Sequence, residues 1–407
     1  MRKTLELPRF SLMERDRRWT EVRKAMKEKD LDCLLFCGAP CRWDFTVANT
    51  RFVSHIGGNS EFSFIIFPLD KEPTCFILSS TFLGYWARAQ DWVKDIRVRK
   101  GTWANSVVSR LKELELEKKS IGVDGLAGPL DPDGWFPHSV YNRILELMPD
   151  ANFINTCDML EKIRALKSSE EIEFLQKAAR LGDLMLESCS QTAKPGVREC
   201  EVYGKMVEVM LANGGEEPTL FLWASDAHPL PHPFRLPTFR PLEKGDLIIC
   251  ELHPKYGGYF THVERTFCLG DPAKEYLNIY DGCLASYARG MELFAPGERI
   301  TTAMNAVKET IKSRGLGICE AGIHGHGLGS LEYPRYRHHA PDADVDALKT
   351  IEDEFKAGMV FAFNIDLVDP MWRNGETGCV FADTIIITEK KARPLHSFPT
   401  SFQIIPL

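Results

Sequence analysis

Residues 250–267 read CELHPKYGGYFTHVERTF, two strand-like segments on either side of a Gly-Gly turn. Glu251 and His253 are two apart in an extended segment, so both side chains point to one face. His262 follows the turn on what should be the neighbouring strand, with Glu264 on the same face as His262. Four ionisable groups on adjacent strands are costly to bury unpaired, which favours a functional cleft over a plain core.

The flanking sequence sets this segment late in a second domain. A charged, helix-periodic stretch at 14–30 leads into LDCLLFC, which reads as a buried strand. FSFIIFP and PTCFILS continue the strand pattern, and WANSVVSRLKELELEKK returns to helix before IGVDG. The alternation predicts an α/β N-terminal domain over 1–160. Near residue 161 a new domain is expected to begin, and Ser168 or Ser169 can cap a helix with acids in its first turn. LIICELHP, GGYFTHVERTFCLG, MVFAFNIDLVDP and CVFADTIIITE then read as strands, separated by helices near 276–294 and 302–314. The pattern predicts an α+β domain over 161–407 whose polar residues collect on strands.

Composition narrows the function classes. A chain of 407 residues favours two domains. Its 44% hydrophobic and 26% charged residues are ordinary for a globular protein. The net charge of -7 provides no basic footprint for nucleic acid or an anionic membrane. No apolar run is long enough to span a bilayer and the first residues are charged rather than signal-like, so a cytoplasmic protein is expected. The 12 cysteines include no CxxC pair and read as reduced core thiols, Cys33, Cys37 and Cys41 among them.

Two loops add candidate residues. SDAHPLPHPFRLP (225–237) is too Pro-rich for regular structure and can present His232 to a cleft as a proton shuttle, with His228 as its rival. GIHGHGLGSLEYPRYR (322–337) sets His324 and His326 among glycines that permit close backbone approach to a ligand. Tyr333, Arg335 and Arg337 follow as substrate-binding candidates, either guanidinium being able to clamp a carboxylate.

Taken in order, RALKSSEEI, the PH of 231–232, the GD of 245–246, GGYFTHVERTF, GHGLG, GMVFAFNI and ADTIIIT resemble the creatinase/aminopeptidase P/prolidase family, with its M24-like pita-bread fold. The resemblance implies that metallopeptidases of the family hold two ions at the positions of Glu251, His262, His326, Asn364 and Ala382, of which only His326 keeps the family residue. A carboxylate-bridged metal pair is therefore not expected. The family's metal-free creatinase branch implies instead a C–N hydrolase of a small carboxylate-bearing substrate. His232 would be its acid/base, Glu264 and His326 its partners, and Arg337 its carboxylate anchor. Asn364 stands where that branch has a substrate-gripping Glu.

Two alternatives accompany that expectation. One is a mononuclear hydrolase or lyase holding Zn or Fe through Glu251, His253, His262 and His326, with Asp366 or Asp383 adding an oxygen. It would act as an Xaa-Pro peptidase or as the family's sulfonium-carboxylate lyase. The other is a peptide-binding module without catalysis. Members of the family generally pair so that one N-terminal domain reaches the other subunit's site. Here SHIGGNSEFSF (54–64) would make that contribution, with Glu61 suited to a positively charged substrate.

Overall fold

The computed structural model describes residues 7–40, 44–58, 61–128, 133–217, 220–230, 236–339, 350 and 352–407, with the side chains of Phe45, Arg337, His338 and His339 left aside. It divides into two compact units, Met1–Arg164 with Leu328–Ser330, and Ala165–Gly327 with Leu331–Leu407.

In the first unit the elements run α1 (Leu12–Glu28), β1 (Cys33–Gly38), α2 (Phe45–Ser54), β2 (Ser63–Pro68), β3 (Thr74–Ile77), α3 (Ser80–Ala89), β4 (Asp95–Val98), α4 (Trp103–Glu113), β5 (Ser120–Val123), α5 (His138–Leu147) and β6 (Asn152–Asn155), then α6 (Met159–Ala165). The strands form one sheet in the order β4-β3-β2-β1-β5-β6. β1 pairs antiparallel with β2 and parallel with β5, so the sheet is mixed. Every residue of the central β1 is buried, the outcome expected of a continuous apolar run covered on both faces. Cys33 and Cys37 lie there as buried free thiols; Cys41 is outside the described residues.

The second unit begins with α7 (Ser169–Thr192), whose Ser168 and Glu171 form a reciprocal capping box. It continues through α8 (Glu199–Ala212), β7 (Phe221–Asp226), β8 (Leu247–Leu252), β9 (Lys255–Tyr256), β10 (Tyr259–Phe260), β11 (Val263–Leu269), α9 (Lys274–Leu293), α10 (Ile300–Ser313), β12 (Gly317–Gly325), β13 (Glu332–His339), β14 (Val360–Val368), β15 (Gly378–Ile387), β16 (Ala392–Pro394) and β17 (Gln403–Ile405). The main sheet runs β13-β12-β14-β15-β11-β8-β7, with β16 beside β15 and β17 beside β11.

The Gly-Gly turn does not join the two strands it was read to join. Gly257 and Gly258, at φ +56 and +86, close the separate two-residue hairpin β9–β10, as positive φ at both positions requires. β8 and β11 pair through their own register on either side of it.

One face of the main sheet is largely apolar. Ala321, Ile323, Phe363, Ile365 and Phe381 pack against α9 and α10, and Cys250, Leu252, Val263 and Phe267 pack against α7 and α8. Burying each such Phe stabilises the unit by about 1.5–3 kcal/mol. This side fixes the sheet from behind and leaves the other face for polar groups.

Candidate active site

The register of the main sheet brings the sequence motifs into line. Glu251 lies opposite Glu264, Glu264 opposite Ala382, Ala382 opposite Asn364 and Asn364 opposite Gly322, which faces the backbone of Arg337. Directly opposed residues share a face, so six strands contribute to one transverse row. Two residues along lies a second row, with Thr384 opposite Ala362, then His324 and Arg335. His262 joins this row through Thr384, whose hydroxyl accepts from the His262 amide at 2.6 Å and donates to its carbonyl at 2.9 Å.

The sheet curls toward this face. His324 on β12 and His262, just before β11, are three strand steps apart, about 14 Å across a flat sheet. Their rings nevertheless stack with centroids 6.5 Å apart. Side chains from distant strands therefore converge on a common centre.

At that centre, donor atoms of Glu251, His253 and His262 all lie within 4.8 Å of one another. Glu251 Oε1 sits 3.2 Å from His253 Nε2 and 3.6 Å from His262 Nε2. Glu264 Oε1 is 3.2 Å from His262 Nε2, just beside the triad. The His326 ring lies 5.6 Å from that of His253 and 6.2 Å from that of His262, braced edge-on by Phe260 at 5.0 Å. His253 is 3% exposed and its Nδ1 has no hydrogen-bond partner among the described residues. A buried imidazole with donor or acceptor capacity to spare is costly unless a ligand or ion uses it.

This geometry alters the expected ligand set. Of the four residues of the mononuclear alternative, Glu251, His253 and His262 form the donor triad, whereas His326, the one residue with the family identity, stands outside it. Ala382 carries no donor, and the Asn364 amide donates to Glu320 Oε1 at 3.4 Å, so oxygen donors for a bridged metal pair are missing. One carboxylate and two imidazoles with room for a further ligand do fit a single Zn²⁺ or Fe²⁺ ion. Asp383 is corrected as an oxygen donor, because it lies on the helix side of β15 and pairs there with Arg265 Nη2 at 2.9 Å. Asp366 is on the polar face, opposite Glu320 and Val380.

The remaining candidates divide. Arg335 is fully buried. Tyr333 donates to Asp353 Oδ2 at 2.8 Å, and burial together with that bond pushes its phenol up to about 12. His228 is exposed, its ring edge-on to Trp372 at 6.3 Å. Glu61 is buried within its own unit. Both its oxygens serve its own unit, accepting from Trp86 Nε1 at 2.7 Å and the Leu78 amide at 3.2 Å. His232 lies outside the described residues, and so does the side chain of Arg337. Thr384 and Glu320 were not singled out in the sequence: a Thr in ADTIIIT and an acid in GICEAG carry no local signal, and only cross-strand register reveals their neighbours.

Comparison with known proteins agrees with the curled sheet and its row of motifs. The model for metallopeptidase family M24 matches residues 173–389, and that for the creatinase/prolidase N-terminal domain matches residues 18–166. The chain therefore belongs to family M24, as a hydrolase-family member with an α/β N-terminal domain and a pita-bread C-terminal domain. An Xaa-Pro dipeptidase of Pyrococcus furiosus is 27% identical over 265 residues, 65% of this chain and 72% of that protein. A creatinase of Bacillus sp. (strain B-0618) is 22% identical over 409 residues, 96% of this chain and 92% of that protein. Among solved structures, an X-Pro aminopeptidase of Thermotoga maritima superposes with a TM-score of 0.76 at 19% identity, covering 95% of this chain and 99% of that one. Among the described residues no helix is long and apolar enough to cross a membrane.

Proposed function

We propose that the protein is a mononuclear metal-dependent hydrolase that cleaves a C–N bond in a small carboxylate-bearing substrate. The carrying observation is the convergence of Glu251, His253 and His262 donor atoms within 4.8 Å. This places the alternative set out from the sequence ahead of a metal-free site worked by His232, and the dipeptidase relatives point the same way.

Glu251, His253 and His262 would hold the ion. When bound, such an ion supplies Lewis acidity to a carbonyl oxygen and lowers the pKa of water. Glu264, 3.2 Å from His262 Nε2, takes the proton of the attacking water and returns it to the leaving nitrogen, so the proton count closes without a second base. His326 donates a hydrogen bond toward the oxygen on which charge develops. Thr384 clamps the His262 backbone through both its amide and its carbonyl, so the imidazole is held before substrate arrives.

The test is elemental analysis of tag-free protein, with turnover of Xaa-Pro dipeptides and N-substituted amino acids measured before and after chelation. One zinc or iron per chain, lost in His253→Ala together with activity, is the expected result. Metal-free protein with undiminished turnover, abolished by His232→Ala, would restore the creatinase-type mechanism.

A further inference from the structure

The sheet of the first unit ends on β4, which has a neighbour, β3, on one side only. β4 runs parallel to β3 with Arg97 opposite Phe76, and the Arg99 amide donates to the Ile77 carbonyl at 3.0 Å. Along an extended strand the main-chain groups of successive residues point to opposite sides. Arg97 and Arg99 therefore bond to β3, while the N–H and C=O of Ile96 and of Val98 point away from it. Unpaired edge groups of this kind are a template for another strand. Ser106 closes the run at its end, its hydroxyl accepting from the Lys100 amide at 2.9 Å and donating to the Lys100 or Thr102 carbonyl, each at 3.1 Å.

Side chains give this edge its character. Residues 94–100 read KDIRVRK, four cations and one anion in a chain whose net charge is -7. Arg97 is neutralised by Asp95 at 2.9 Å and Glu113 at 2.8 Å, and the same two acids serve Arg110. Lys94, Arg99 and Lys100 have no acidic partner among the described residues. Between β4 and α4 opens a cavity of about 690 Å³, with Phe76 and Val98 as its apolar lining and Arg97, Lys100, Asn105 and Ser109 as its polar one. That is room for side chains of an added strand. Like charges on opposed strands repel, so two copies of this basic edge do not suit each other. An acidic strand is the complement.

We propose that the edge of β4 is a docking site for an acidic, extended segment of a partner protein, which joins the sheet as a further strand and places apolar side chains in the cavity beside α4. Main-chain hydrogen bonds to Ile96 and Val98 supply affinity, and the cavity with the three unpaired cations supplies specificity. The site lies within the first unit and is independent of the metal triad.

Fluorescence anisotropy on the full chain tests this, with the labelled peptide Asp-Leu-Glu-Val-Asp-Leu-Glu and a counterpart in which every acid is Lys. The acidic peptide is expected to bind about tenfold more tightly or better, and the difference to shrink as salt rises. Val98→Pro removes one outward N–H at a position where an edge strand tolerates proline, and should weaken the acidic peptide about tenfold at an unchanged urea midpoint. Lys94→Glu combined with Lys100→Glu, both on exposed side chains, should weaken it as well. Equal binding of the two peptides, or acidic-peptide binding indifferent to Val98→Pro or to the charge reversals, overturns the proposal. A lowered urea midpoint in Val98→Pro overturns it too, since that N–H would then belong to the sheet. Two other occupants would replace the partner segment. Phosphatidylserine vesicles that bind through Lys94 and Lys100 with no effect of Val98→Pro would assign the patch to a membrane surface, and a dimer lost in Val98→Pro by sedimentation velocity would assign the edge to a second copy of this chain.

Discussion

Removing Asp383 tests which side of the sheet this carboxylate serves. Its partner Arg265 is fully buried behind the site row, and its Nη2 donates to Asp383 Oδ1 at 2.9 Å. Asp383→Ala leaves a buried guanidinium without a counter-charge, a change that typically costs about 3–5 kcal/mol. Arg265 still donates to four carbonyls, those of Glu264 and Ala382 at 2.8 Å, Pro399 at 3.1 Å and Phe398 at 3.4 Å. Its donors therefore stay largely satisfied, and only the charge is stranded, which places the expectation near the lower end, about 3 kcal/mol. For a domain of this size that is a fall in Tm of roughly 6–12 °C. Urea unfolding followed by tryptophan fluorescence reads the stability, and elemental analysis of the folded variant reads the metal. The expected outcome is a less stable protein with its metal content intact. A variant within about 1 kcal/mol of the parent, or a stable one that has lost its metal, would refute the assignment of Asp383 to the helix side.

Three further outcomes follow from the structure. Burial, opposed by the amide of Asn49 at 2.8 Å, pushes the Asp124 carboxyl up to about 7, and its Oδ2 has no hydrogen-bond partner among the described residues. A raised folded-state pKa means that the folded state holds the proton more firmly, so this group's contribution to stability is lost as pH rises from about 4 to about 7. Asp124→Asn retains an acceptor for Asn49, and should flatten that decline and stabilise the first unit at pH 8 by up to about 4 kcal/mol, in urea titrations at pH 5 and 8. A variant that declines with pH as the parent does contradicts the assignment. Ser168→Ala removes half of the capping box of α7 and is expected to cost about 1 kcal/mol; an unchanged urea midpoint would mean that the cap contributes nothing. Zinc at about a hundred times its dissociation constant should stabilise the second unit by about 2.7 kcal/mol, a gain that calorimetry should find missing in His253→Ala.

Much of the candidate site was legible as residue types. Period-two spacing places Glu251 and His253 on one face, and His262 and Glu264 likewise, because side chains alternate along any strand. The cap at Ser168 and the helices near 276–294 and 302–314 follow from local signals, and the structure has α9 at Lys274–Leu293 and α10 at Ile300–Ser313. The strand β7 in FLWASD went unread, since its neighbouring Pro-rich loop dominates the local composition. Asp383 was misplaced because a residue one position from Ala382 points to the opposite face, and nothing local says which of the two faces is the polar one.

By itself, then, the sequence determined most of the elements, the two-domain order and the identity of the groups able to do chemistry, because helix and strand periodicity and capping act over a few residues. Tertiary structure alone decided which of those groups meet. Cross-strand register set Glu251, Glu264, Ala382 and Asn364 in one row, and the curl of the sheet brought His324 within 6.5 Å of His262. It also brought Glu251, His253 and His262 of the four expected metal ligands together as a donor triad, without His326. Both register and curl arise from packing of strands far apart in the chain against α7, α8, α9 and α10, and no local pattern carries that information.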